Sequence, residues 1–298
     1  MAGLQLFRFI GSVASNYSLA AVPLFVFMGA LLEGSSMSAR LFDLMKRWFG
    51  KLPGGMSVAT LGLCTLFAAG TGIVAAVEVM VALLAIPVML REGYDKKIIS
   101  GVICAGGSLG TMIPPSVLII VYASVSNQSV GALFAAVLYP ATIMIGLFLG
   151  YVILHGWLFR TGKSGTPIAA AALLPGEDDA DEAHASVWSL LPPLLLVLSV
   201  VGSILTGIAS VTEAAAVGVL AALLLNLFYR DLTWGRVRIA IYKTINLTSM
   251  ILFLVIGGTL FTSVFRLTGG SAIVGNIINS SDISVVGLII LLLAIVFI

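Results

Sequence analysis

Charged side chains are scarce in this chain. Asp, Glu, Lys and Arg make up 9% of its residues, whereas soluble proteins contain about 25%. Hydrophobic residues make up 60%, so the composition predicts an integral membrane protein. The net charge is only +2, which excludes a nucleic-acid surface built on excess positive charge.

Cysteine and histidine are also scarce, with two residues of each. Cys64 and Cys104 lie in apolar runs, where cysteine acts as a small buried hydrophobe, so we expect neither a disulfide nor a metal ligand there. His155 and His184 have no paired ligands, and no serine is set with a histidine and a carboxylate. We therefore expect neither an enzyme nor a resident cofactor.

Apolar runs divide the chain into candidate membrane segments. They cover residues 18–32, 56–90, 98–123, 130–154, 187–208, 214–229, 247–265 and 284–298. Uncharged runs of about 17 to 25 residues predict crossing helices, so the expected fold class is an all-α polytopic membrane protein. The segments 40–51, 91–97 and 230–243 are basic, and the positive-inside rule puts them in the cytoplasm.

The run at 56–90 has basic segments on both sides, so it enters and leaves on the same side of the membrane. It allows two arms of about 16 residues around Ala69-Gly70-Thr71-Gly72, whereas two full crossings need about 40 residues and a turn. A re-entrant hairpin is the favoured interpretation. Two ordinary crossings joined by a tight glycine turn are the alternative.

A second interruption lies in residues 98–159, which contain no charged side chain. The stretch 105–116 carries three glycines and ends in Pro114-Pro115-Ser116. Irregular backbone survives at membrane depth only inside protein or beside a watery cavity. Unwound carbonyls and hydroxyls suit Na⁺, and half-helix N-termini suit a carboxylate, so this break and the glycine turn predict one site. Alternatively, Gly106 and Gly110 form a packing face and Pro114 kinks a helix.

Three further segments organise the chain around these runs. Residues 41–49 and 232–241 combine apolar and basic side chains and are expected to lie along the cytoplasmic surface. Residues 160–186 are rich in small and acidic residues and predict a flexible cytoplasmic linker. This linker divides the chain into two groups of helices, as in an internally repeated transporter.

Two acidic residues have apolar sequence close on both sides. Glu213 follows Ser210 at the start of a predicted helix, where an acid complements the helix dipole, so a structural role is favoured. Glu78 lies just past the hairpin tip and could face a cavity, pair with a neighbour or stay protonated. The sequence leaves these three options open.

Several motifs follow one another in a distinctive order. They are Ala20–Phe25 with Met28-Gly29, Gly54-Gly55, Phe67–Gly72, Pro87 with Arg91–Asp95, Gly107–Gly110 through Ile113–Ser116, and Thr212–Gly218. Together they resemble the large permease subunit of TRAP transporters (DctM-like). The resemblance spans nearly the whole chain.

The resemblance implies an inverted-repeat elevator-type transporter of the bacterial inner membrane. It implies sodium-coupled import of organic acids such as C4-dicarboxylates, with a small membrane subunit and a periplasmic solute-binding protein as partners. Residues 1–159 would form the first repeat, with a scaffold helix, the re-entrant hairpin and the Pro-broken helix. Residues 187–298 would form a partial second repeat that lacks the second hairpin.

The resemblance also implies site residues at the hairpin tip and the broken helix. The sodium ligands would be Thr71, Gly72, Gly107, Ser108 and Gly110. The substrate contacts would be Thr71, Gly106, Ser108, Pro114, Pro115 and Ser116. Na⁺ is the coupling ion, and nothing in 105–116 selects one organic acid over another.

The chain departs from the family pattern in three respects. Ile73 and Val74 stand where many members have serine, and Glu78 stands where a small or uncharged residue is usual. The run 284–298 would span about 22 Å against ~30 Å of hydrocarbon, so we expect a truncated C-terminus and a missing first span. A non-transporting membrane scaffold fragment, or a related elevator-type ion-coupled carrier without a binding protein, is the alternative.

Overall fold

The computed structural model describes residues 11, 15–35, 37–50, 52, 54–72, 74–159, 191–280 and 285–297. Every regular element among these residues is a helix, which confirms the predicted all-α class. Ile73 and the predicted linker at 160–186 lie outside the described residues.

The α-helices are named in chain order. They are α1 (Ala21–Glu33), α2 (Met37–Phe49), α3 (Gly55–Thr71), α4 (Val74–Arg91), α5 (Lys96–Ser108), α6 (Val117–Ser126), α7 (Val130–Phe159), α8 (Leu191–Leu205), α9 (Val211–Phe228), α10 (Trp234–Leu267), α11 (Gly270–Ser280) and α12 (Val285–Phe297). Two short 3-10 helices, Tyr17–Ala20 and Leu109–Thr111, precede α1 and follow α5.

Four of these helices, α4, α7, α9 and α10, have the length and composition of membrane-crossing helices. This agrees with the predicted polytopic membrane protein. Helix α3 has 17 residues and α4 has 18, against about 20 for a full crossing. They pack against each other, with the chain turning at Gly72. That they form a re-entrant hairpin stays a prediction.

Helix α3 is the central helix of residues 16–250, which form one compact unit. It packs against α1, α2, α4, α5 and α7. Side chains around its whole circumference are buried, including Met56, Ala59, Leu61 and Leu63. A helix that is apolar all round is stable only inside other helices, and this surrounding fixes where its C-terminal end lies.

Local signals explain several helix boundaries. Asp95 caps α5 by accepting a hydrogen bond from the Lys97 amide (2.9 Å). Ser210 and Glu213 form a capping box at the start of α9, which confirms the structural role expected for Glu213. At the start of α3 the Met56 amide donates to the Tyr94 hydroxyl (3.3 Å). Burial raises the pKa of the Tyr94 phenol, which keeps this hydroxyl protonated.

The two predicted surface segments differ. Helix α2 is amphipathic as expected, with Leu41 and Phe42 buried and Arg47 exposed. The segment at 232–241 is not separate, because α10 runs without a break from Trp234 to Leu267. No glycine or proline occurs between Arg236 and Ile256, so nothing ends a helix before the predicted crossing at 247–265.

A second compact unit includes the described residues from Ile251 onward. It contains the C-terminal part of α10 together with α11 and α12. The rings of Phe261 and Phe265 stack with their centroids 6.3 Å apart, and Gly270 lies against the Phe265 ring. Helix α11 was not among the predicted apolar runs.

Candidate functional site

The turn after α3 touches the break after α5. Gly72 has φ +62°, and a β-carbon added there would lie 2.7 Å from the Pro115 carbonyl oxygen and 3.1 Å from the Val117 nitrogen. Only glycine allows this approach, because it accepts the left-handed conformation and leaves room for the opposing backbone. The two interruptions predicted from sequence therefore meet.

The break is an interruption of the helix and not a kink. Helix α5 ends at Ser108, the 3-10 helix covers Leu109–Thr111, and residues 112–116 are non-helical before α6 begins at Val117. The 3-10 helix packs against both α3 and α4. The kink expected in the alternative interpretation is thus not observed.

Helix ends of both polarities meet at this junction. Helix α3 ends at Thr71 and α5 ends at Ser108, so carbonyl groups without helical partners point out of their C-terminal ends. Helices α4 and α6 begin at Val74 and Val117 and leave free amide groups. C-terminal ends favour cations and N-terminal ends favour anions, so the junction has the electrostatics for both.

Ser116 is the most unusual polar residue at the junction. Its side chain is fully buried, and its hydroxyl has no hydrogen-bond partner among the described residues. It precedes α6 with an extended backbone and does not cap that helix. Buried hydroxyls normally have a partner, so this oxygen is available to a ligand.

The other predicted hydroxyls lie along the same break. The Ser108 hydroxyl donates to the Ala105 carbonyl oxygen (2.7 Å), and the Thr111 hydroxyl donates to that of Ser108 (2.8 Å). Each oxygen keeps lone pairs that can accept from or coordinate a ligand. Thr71 is the last residue of α3, and its side chain lies outside the described part.

Two predicted glycines face the arms of the helix pair and not its tip. A β-carbon at Gly106 would lie 2.7 Å from the Cys64 sulfur, and one at Gly107 would lie 2.7 Å from Oε1 of Glu78. Gly106 thus has the close-packing role of the alternative interpretation. Gly110 is buried in the 3-10 helix that contacts α3 and α4.

Side-chain metal ligands are not grouped in the described part of the chain, where no three His, Cys, Asp or Glu residues come together. A cation at the junction would therefore bind to backbone carbonyls and hydroxyls, which are ligands that suit a hard monovalent ion.

Comparison with known proteins identifies the family. Residues 4–298 match the family model "Tripartite ATP-independent periplasmic transporter, DctM component". The chain belongs to the DctM family. Members of this family are transporter permeases, and this DctM chain is a multi-pass protein of the bacterial inner membrane.

Several curated DctM relatives are similar over most of the chain. A C4-dicarboxylate TRAP transporter large permease of Pseudomonas aeruginosa is 33% identical, over 84% of this chain and 56% of its own length. An isethionate TRAP transporter permease of Oleidesulfovibrio alaskensis is 29% identical, over 85% and 38%. An ectoine/5-hydroxyectoine permease of Ruegeria pomeroyi is 29% identical, over 82% and 55%. The chain spans about half the length of the curated relatives it matches.

Two residues of this DctM chain gained importance only from the structure. Cys64 was expected to be a buried hydrophobe, which is confirmed, but its contact with Gly106 was not foreseen. Cys104 was expected to be buried and is exposed. A pair of adjacent glycines signals that other helices approach closely, and it could have indicated the neighbours of Gly106 and Gly107.

Proposed function

We propose that this chain is the large membrane subunit of a sodium-coupled tripartite transporter that imports a small organic acid, with C4-dicarboxylates as the first candidates. Its partners are a small membrane subunit and a periplasmic solute-binding protein. The observation that supports the proposal is the contact of Gly72 with residues 115–117, beside the buried and unpartnered hydroxyl of Ser116.

Na⁺ and the organic acid use different parts of the junction. Na⁺ binds at the C-terminal ends of α3 and α5, to Thr71, Gly72, Gly107, Ser108 and Gly110, because carbonyl oxygens concentrate there. The carboxylate binds toward the N-terminal end of α6, with Ser116 as a hydrogen-bond donor and Thr71, Gly106, Ser108, Pro114 and Pro115 as the remaining contacts. The opposite polarity of these helix ends is why a cation would raise the affinity for an anion.

Movement is part of the proposal. Helices α3 and α4 form a re-entrant hairpin, and they move with α5 and α6 as one elevator domain. The tip at Gly72 separates from residues 115–117 to release the solute. The tight backbone contact describes the closed arrangement of this gate.

The Ser108→Ala variant tests the sodium site in the complete system, reconstituted in vesicles with the small subunit and the binding protein. Ser108→Ala should raise the Na⁺ concentration for half-maximal uptake by about tenfold, which corresponds to about 1.4 kcal/mol. Ser100→Ala is the matched control, since Ser100 lies on the same helix and its hydroxyl also donates to a carbonyl three residues earlier. Uptake that needs no Na⁺ would overturn the sodium coupling.

The substrate is tested in the same vesicles. A C4-dicarboxylate, isethionate and ectoine are offered in turn, because relatives carry these names. We expect Na⁺-stimulated accumulation of the dicarboxylate. Accumulation of ectoine alone would overturn the organic-acid assignment, and accumulation without a binding protein would favour the simpler carrier.

A further inference from the structure

Glu78 is a carboxylate placed against the glycine end of α5. It lies on α4, is half-buried, and faces Gly107, where an added β-carbon would be 2.7 Å from Oε1 and 2.8 Å from the carboxyl carbon. The carboxylate therefore occupies the space that a side chain at position 107 would fill. Gly107 lies next to Ser108, so Glu78 lies beside the proposed sodium site.

This carboxylate has no partner in the described part of the chain. The three ion pairs there join Lys46 with Glu92, Arg236 with Asp231 and Lys243 with Glu33. Glu78 forms no hydrogen bond with the described residues either. An ionised carboxylate on a membrane-crossing helix is costly without a positive charge beside it. Glu78 must therefore take up a proton or another cation.

Other titratable groups near Glu78 are few. Helix α3 presents Cys64, and α5 carries Cys104 one turn before Gly107. Lys96 and Lys97 lie at the opposite end of α5, about 15 Å away at ~1.5 Å per residue.

The remaining charges near α4 lie at its far end. Helix α2 contributes Lys46, which pairs with Glu92 beyond the C-terminal end of α4. The 3-10 helix at Leu109–Thr111 has no titratable side chain. No cation of the protein itself is therefore placed to neutralise Glu78 in the described region.

We propose that the Glu78 carboxylate is a titratable ligand of the coupling cation, so that a proton and Na⁺ compete for it. When Na⁺ binds, the carboxyl proton leaves to water and the carboxylate oxygen contributes to the ion's coordination beside the carbonyls at the end of α5. One positive charge replaces another, so the charge of the site does not change. This inference rests on the sodium coupling proposed above.

Na⁺ binding to the purified full-length protein in lipid nanodiscs tests the competition. Affinity for radioactive Na⁺ is measured between roughly pH 5 and pH 9, a range that covers the pKa of ordinary and buried carboxyl groups. In the wild type, the apparent Kd for Na⁺ should rise toward tenfold for each pH unit below the carboxyl's titration, since only the deprotonated form binds metal. Adding Na⁺ to a weakly buffered sample should release protons.

Substitutions assign the effect to Glu78. Glu78→Gln should bind Na⁺ more weakly, with no pH dependence and no proton release, whereas Glu78→Asp should keep both. Glu92→Gln is the matched control on the surface pair, and Cys64→Ala removes the nearest thiol. Both should keep the wild-type pH dependence.

The outcomes separate this inference from the proposed function. If wild-type protein binds Na⁺ without proton release, or if Glu78→Gln keeps the full pH dependence, the role of Glu78 is wrong while sodium coupling stands. If the wild type shows no saturable Na⁺ binding at any pH, both fail. Wild-type proton release does not depend on the folding of any variant, so the test remains decisive if Glu78→Gln misfolds.

Discussion

The junction between Gly72 and residues 115–117 and the helix pair α1–α9 are held by different kinds of contact. At the junction, backbone meets backbone and the buried Ser116 hydroxyl has no partner. In the α1–α9 pair, fully buried side chains such as Val22, Phe25 and Met28 pack between the helices. The first arrangement leaves polar groups for a ligand, whereas the second uses its contacts for stability.

The end of α1 shows how completely the pair satisfies its polar groups. A helix leaves its last four carbonyls without helical partners. Here those carbonyls accept from the Gly34 amide, the Asn226 side chain, the Ser35 amide and the Ser38 hydroxyl. Lys243 also pairs with Glu33 at 2.6 Å. These bonds join α1 to α9 and α10, so they connect the two halves of the sequence.

Gly72→Ala should have the largest effect of any single methyl group. The left-handed backbone costs about 1–2 kcal/mol for alanine, and the new carbon would meet the Pro115 carbonyl, which adds about 1–3 kcal/mol. Thermal unfolding of the purified protein should show a loss of about 3 kcal/mol, and uptake in vesicles should be abolished.

Gly101→Ala is the control for that substitution. Gly101 lies on α5 with nothing within 4 Å of an added β-carbon. Alanine is favoured over glycine in a helix by about 1 kcal/mol, so this variant should be slightly more stable than wild type. Equal stability of the two variants would mean that residues 115–117 move away freely, which would contradict a rigid junction.

Asn226→Leu should weaken the α1–α9 pair by about 1–2 kcal/mol, since it leaves the Leu31 carbonyl at the end of α1 without its partner. The Asn226 amide donates to that carbonyl at 3.3 Å. Asn246→Leu is the matched control, because Asn246 is exposed and forms no hydrogen bond with the described residues. If both variants unfold at the wild-type temperature, the carbonyl finds another donor.

The sequence predicted the two interruptions because glycine and proline act locally. The break at 105–116 and the turn at Gly72 needed no knowledge of packing. The orphan hydroxyl of Ser116 and the placement of Glu78 against Gly107 could not be predicted, since both depend on which helices are neighbours. The continuous α10 was missed because an amphipathic segment fits a surface helix and a helix extension equally well.

Ser116→Ala should separate stability from function. Removing a buried hydroxyl that lacks a partner should stabilise the fold by about 1 kcal/mol. Uptake should fall, because the ligand loses a hydrogen-bond donor. Thr248→Val is the matched control, since the Thr248 hydroxyl on α10 is also buried without a partner. It should raise the unfolding temperature and leave uptake unchanged. A drop in stability for Ser116→Ala would show that its hydroxyl is bonded in the fold.

Gly218→Ala on α9 should have the smallest effect, although its β-carbon would also be crowded. The carbon would lie 2.6 Å from the Met28 sulfur and 3.1 Å from a Val200 methyl. A methionine side chain can change rotamer at little cost, whereas the Pro115 carbonyl opposite Gly72 cannot. We expect a loss of about 1 kcal/mol in thermal unfolding, removed when Met28→Ala is added. Because both glycine variants add the same methyl group, the difference between their losses measures how much stiffer backbone is than side chain as a neighbour. A loss at Gly218 as large as that at Gly72 would show that the α1–α9 pair is as rigid as the junction.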